Sequence, residues 1–124
     1  MFLWASNVKV FHNTVHINGN NPSSYCYYFG SNDSFNFKLL NNNLVNSAGG
    51  YVIFRDPNNY HGAYTSSYNN LFTNGVKLTN NYTDLSEWQT NTGQDLNSVS
   101  VYPYFVEDTS YHVLHPALNG AGTP

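Results

Sequence analysis

One short pattern occurs three times along the chain and constrains its fold more than any other feature. In each copy an extended stretch meets a polar pair ending in Asn, and a small or branched residue and a large apolar one follow. The copies are Val8 to Val15, Lys38 to Val45 and Thr65 to Phe72. Taking Asn13, Asn43 and Asn70 as equivalent, the repeats are 30 and 27 residues apart. Between them lie Tyr25 to Gly30, Tyr51 to Asp56 and Val76 to Thr79, which read as short strands. They are rich in β-branched and aromatic types and bounded by Gly, Asn, Asp or Pro.

A repeat of this length, holding three short strands and three turns, is one coil of a parallel β-solenoid, with each strand paired to its counterpart one coil along. The second coil reads as Tyr51 to Asp56, a turn over Pro57 to Gly62, Ala63 to Tyr68, a tight bend at Asn69-Asn70, and Leu71 to Thr73. Asn suits the bend because it tolerates the left-handed backbone region, and because amides stacked on successive coils hydrogen-bond as a ladder. Asn13, Asn43 and Asn70 are the expected rungs. The expected fold is therefore all-β, a parallel β-helix (solenoid) of three to four coils. Residues 1–82 form the coils, and residues 83–124 form a helix-turn, a last strand and a cap of the same domain.

Composition agrees. Asn accounts for 21 of the 124 residues and charged residues for only 9%. Asn disfavours helices, and a charge repeated at one coil position would meet its own kind above and below. The 4 Lys and Arg against 7 Asp and Glu leave a net charge of -3, so no basic footprint exists for nucleic acid. No apolar run reaches membrane-spanning length, and Met1-Phe2-Leu3-Trp4 lacks the basic start of a signal peptide. The single cysteine, Cys26, has no internal disulfide partner and reads as a small apolar side chain.

Within the last third, Asp84-Leu85-Ser86-Glu87 reads as a capping box, with Leu85 and Trp88 on one face and Gly93 as the stop. A short helix there would cover the last coil, whose edges would otherwise invite association. Phe2, Leu3 and Trp4 run straight into the first repeat, so the other end is expected to meet upstream coils or another copy of the chain.

These "extended, Asn-Asn, apolar" repeats resemble the pectate-lyase-like right-handed parallel β-helix superfamily. The segment from Leu85-Ser86-Glu87-Trp88-Gln89 through Thr92-Gly93-Gln94-Asp95, with Tyr102-Pro103-Tyr104-Phe105 and His115-Pro116-Ala117, resembles the C-terminal module of bacterial secreted β-helix proteins. Tyr102 stands where that pattern has Asp, and His115 where it has Ser. The resemblance implies an extracellular or cell-surface protein associated with polysaccharide, with its cleft along the first strand of each coil.

On those strands, alternation with Val52 and Phe54 inward would turn Tyr51, Ile53 and Arg55 outward, with Tyr25 and Tyr27 before them and Lys77 after. Tyr25, Tyr27, Tyr51, Arg55 and Lys77 are thus the expected carbohydrate-binding residues, rings for sugar faces and cations for carboxylates. Three functions stay open: polysaccharide binding without catalysis, a polysaccharide lyase or glycoside hydrolase with its site on this strip or on coils upstream, and a homo-oligomeric structural or adhesive module joined through the open end.

Other constellations add little. His12 with His16, and His112 with His115, lack a further ligand at metal-site spacing. Asp33 and Asp56 form a conceivable glycosidase pair. No calcium repeat or P-loop is present, so no cofactor, metal or catalytic residue is assigned. Asn32-Asp33-Ser34 and Asn81-Tyr82-Thr83 match the glycosylation sequon, as chance allows in a chain so rich in Asn.

Overall fold

The computed structural model describes residues 7–30, 36–58, 63–107 and 110–124. The N-terminal segment Met1 to Trp4, Asp33 and the Asn32-Asp33-Ser34 sequon lie outside the described residues, as does most of the turn before Ala63. Eight short strands wind in order: β1 (Lys9–Phe11), β2 (Thr14–Ile17), β3 (Tyr25–Phe29), β4 (Phe37–Leu40), β5 (Asn43–Asn46), β6 (Tyr51–Arg55), β7 (Tyr64–Ser67) and β8 (Asn70–Thr73). Each of the first five pairs in parallel with the strand three later. The result is sheet A (β1-β4-β7), sheet B (β2-β5-β8) and sheet C (β3-β6). This is a parallel β-helix of about three coils. A bridge from Ile53 to Thr79 carries sheet C into the third coil, and one from Asn70 to Val99 begins a partial fourth.

Apolar residues at matching coil positions set the register. Val15 pairs with Leu44, and Leu44 with Leu71. Leu39, Leu44, Val52, Ile53, Leu71 and Leu78 stack inside the coils, and Trp88 closes the column. A close backbone stack at the corner before sheet C requires glycine, since a Cβ on Gly50 would run into the Ser24 carbonyl.

That register corrects the expected ladder by one residue. Asn13 Nδ2 donates to Asn42 Oδ1 at 3.1 Å, and Asn42 Nδ2 to Asn69 Oδ1 at 3.1 Å. The rungs are therefore Asn13, Asn42 and Asn69. Asn43 and Asn70 form a second pair beside them, Asn70 Nδ2 donating to Asn43 Oδ1 at 2.8 Å. Three consecutive asparagines, 41 to 43, offer three alignments, and burial of Leu44 against Leu71 selects one. The left-handed residues at this bend are the ones before the rungs, His12, Asn41 and Tyr68, with φ of 56°, 58° and 56°. The rung asparagines are there for their amides rather than for tolerance of positive φ.

The C-terminal part closes the column. Helix α1 (Leu85–Thr92) starts at Asp84, whose carboxylate accepts from the Glu87 N–H at 2.8 Å. Glu87 reaches back to the Thr83 N–H at 2.6 Å, and Gly93 ends the helix at φ 67°. Trp88 is fully buried and donates from Nε1 to Asp95 Oδ2 at 2.9 Å. The chain then forms an antiparallel pair, β9 (Phe105–Glu107) with β10 (Ser110–Val113). Where one last strand was expected, this hairpin lies against the outer face of sheet B, with Phe105 on His16 at 4.8 Å between ring centres. Val45, which points to that side opposite Leu44, is fully buried as a result. The tail returns to the first bends, where Thr123 N–H donates to Asn41 Oδ1 at 2.8 Å.

Candidate functional site

Sheet C carries the candidate surface, because its outer face is the aromatic one. Strict alternation along β3 and β6 fails at one point. Cys26 and Val52 turn toward the core, and so do their successors Tyr27 and Ile53. Two consecutive inward residues shift the parity of everything after them. Phe29 is then interior, and Tyr28 and Phe54 face out.

The consequence for the expected site residues is mixed. Tyr25 and Tyr51 are paired in register, and Tyr25 is 44% exposed. Lys77 is exposed, and the bridge from Ile53 to Thr79 sets it level with Tyr51 one coil further. Tyr27 and Arg55 do not join them. Tyr27 packs against the core, and burial pushes its phenol up to about 12. Arg55 turns the other way from Phe54, its guanidinium carbon 5.4 Å from the Tyr64 ring centre and 5.9 Å from that of buried Trp88. It acts as a cation on ring faces at the closed end of the coil.

Two residues missed by alternation take their places. Tyr28 is 38% exposed, and its ring lies 5.2 Å from Tyr25 and 5.8 Å from Phe54, the latter pair stacked at 21°. Phe54 also meets Tyr25 at 5.7 Å and Tyr51 at 5.6 Å. Phe54 is thus the hub of a platform of four rings, Tyr25, Tyr28, Tyr51 and Phe54. At its edge the Tyr28 hydroxyl donates to Asp56 Oδ2 at 3.1 Å. That bond to the carboxylate holds the phenol above its ordinary range. A platform of this kind offers flat apolar faces with hydroxyl and carboxylate groups at the rim, which suits the alternating apolar faces and hydroxyl edges of a sugar. The only sequence signal for Tyr28 and Phe54 was the length of the aromatic run itself.

The remaining candidates are scattered. His12 lies at the ladder bend, His16 under β9, His112 on β10, and His115 stacks on Tyr104 at 5.8 Å. Among the described residues no group of three or more His, Cys, Asp or Glu converges on a metal-sized space, and no helix is long and apolar enough to cross a membrane. Cys26 is half-buried, with its thiol pushed up to about 12 by burial. Compared with known proteins, the chain matches no family model, no curated protein and no solved structure.

Proposed function

We propose that this chain binds polysaccharide through the outer face of sheet C, without catalysis at that face, as part of an exported β-helix protein of the pectate-lyase-like kind. The observation that carries the reading is the cluster of four rings around Phe54 on an exposed β-helix face, where an isolated solvent-facing aromatic would need no explanation. Lys77 extends the strip by one coil. With Arg55 turned away, the face holds fewer cations than a strip built for polyuronates, so neutral or weakly acidic glycans are the favoured class.

Affinity electrophoresis against a panel of neutral glycans and polyuronates tests this. Retardation by at least one glycan is expected, together with its loss in Tyr25→Ala and Tyr28→Ala proteins that keep the wild-type melting temperature. Retardation unchanged in both variants would reject the platform, and unsaturated product from a polyuronate would favour a lyase instead. A second reading, association through the edges of β1, β2 and β3, is favoured by their having strand neighbours on one side only among the described residues. It predicts a solution mass above 14.0 kDa.

A further inference from the structure

A second cleft lies on the far side of the coil, between sheet B and the β9-β10 hairpin, and its chemistry differs from that of the aromatic platform. It has a volume of about 600 Å3. His16 on β2 and Ser47, just after β5, meet in it, with Nε2 of His16 3.0 Å from Ser47 Oγ. No other acceptor for the Ser47 hydroxyl proton stands within hydrogen-bond distance among the described residues. The position of Ser47 follows from the coil register. Ile17, Asn46 and Thr73 are aligned, so the residues after them, Asn18, Ser47 and Asn74, occupy one corner of three successive coils. All three line the cleft. Adjacent coils are about 4.8 Å apart, so the serine is flanked above and below by primary amides. The Asn18 oxygen accepts from the Gly19 N–H at 3.0 Å. Its Nδ2 group, like that of Asn74, donates to no protein atom among the described residues. Tyr102, Phe105 and Tyr111 supply apolar walls, and Phe105 holds the imidazole from one side at 4.8 Å.

We propose that this cleft is an acyl-ester hydrolase site, with Ser47 as nucleophile, His16 as general base and acid, and the Asn18 and Asn74 amides as donors to the developing oxyanion. Serine requires an adjacent base to attack at neutral pH, and an imidazole nitrogen at hydrogen-bond distance provides one. Ser47 Oγ bonds to the ester carbonyl carbon as its proton passes to His16 Nε2. The carbonyl oxygen takes the charge, beside the amides. Collapse breaks the bond to the alcohol oxygen, which leaves with the proton from His16. Water, deprotonated by His16, then attacks the acyl-serine and releases the carboxylic acid, restoring Ser47 and His16. The net change is ester plus water to acid plus alcohol. The cleft is large enough to admit the alcohol together with the acyl group, and Tyr102, Phe105 and Tyr111 offer apolar faces to either.

The test uses the full chain, a fluorophosphonate probe and p-nitrophenyl acetate. Intact-mass and peptide analysis should place one phosphonyl adduct on Ser47, and none should form on Ser47→Ala. His16→Gln should slow labelling and acetate release by about a hundredfold or more, with the circular dichroism spectrum and melting temperature within a few degrees of wild type. Asn74→Ala should slow acetate release while the Ser47 adduct still forms. Absence of the adduct from folded wild-type protein, or labelling at an unchanged rate in His16→Gln, would overturn the assignment. Glycan binding by the platform is independent of either outcome.

Discussion

Asn69 hands its amide to Asp95: Nδ2 donates to Oδ1 at 3.0 Å, and the same carboxylate oxygen accepts from Ser98 Oγ at 2.6 Å. The ladder that begins at Asn13 therefore ends on a buried carboxylate and not on a fourth amide. An Asn at the end of such a ladder would present a donor that has no further acceptor, whereas a carboxylate has only acceptors to offer. Trp88 uses the other oxygen, so one side chain ends the ladder and anchors the capping helix.

Replacing Asp95 by Asn would keep size and remove one acceptor, setting an NH2 against either the Trp88 indole or the Asn69 and Ser98 donors. Asp95→Asn is expected to lower unfolding free energy by about 1–3 kcal/mol, the cost of an unsatisfied buried group. Urea denaturation measures it.

The middle of the ladder is more sensitive. Asn69 is buried, and its amide also donates to Leu39 O and to Ser66 Oγ while its oxygen receives Asn42. Asn69→Ala strips several buried partners at once and is expected to cost about 3 kcal/mol or more. Asn43→Ala, at the half-buried member of the second pair, should cost about 1 kcal/mol by the same urea measurement. Equal losses at the two positions would contradict the one-residue correction of the ladder.

At alkaline pH the inward turn of two consecutive residues becomes visible. Burial raises both the Cys26 thiol and the Tyr27 phenol to about 12, so the folded chain holds protons that the unfolded chain releases at about 8.5 and 10. Stability from these two groups is present in full below pH 8.5 and is lost as pH rises toward 12. Tyr27→Phe should flatten the fall in melting temperature between pH 10 and pH 12. Iodoacetamide should modify Cys26 far more slowly in the native chain than in urea at pH 9, because the thiolate is suppressed.

The helix boundary is a smaller test. Asp84→Ala removes the acceptor for the Glu87 N–H and should cost about 1 kcal/mol. Gly93→Ala forces a side chain onto a φ of 67° and should cost a similar amount. Differential scanning calorimetry resolves both.

The coil was legible in the sequence because its signals are local: short strand runs, Asn-rich bends and a capping box. Register was less so. Three asparagines in a row are equivalent until Leu44 is set against Leu71. Strand parity was lost at Cys26-Tyr27, where both residues face the core and period-two reading assigns the wrong face to Arg55 and overlooks Tyr28 and Phe54. The hairpin over sheet B could not be read at all. Phe105 and Val106 carry no mark that distinguishes lying on a sheet's outer face from extending the coil.

Glycan binding rests above all on the platform around Phe54. Isothermal titration of the strongest-retarded glycan into wild-type and Tyr28→Ala protein tests it most directly, with Arg55→Lys as the control. Removing the outward ring should weaken binding by about tenfold, or about 1.4 kcal/mol, while Arg55→Lys leaves affinity unchanged. Lost affinity in the Arg55 variant with full affinity in the Tyr28 variant would contradict it.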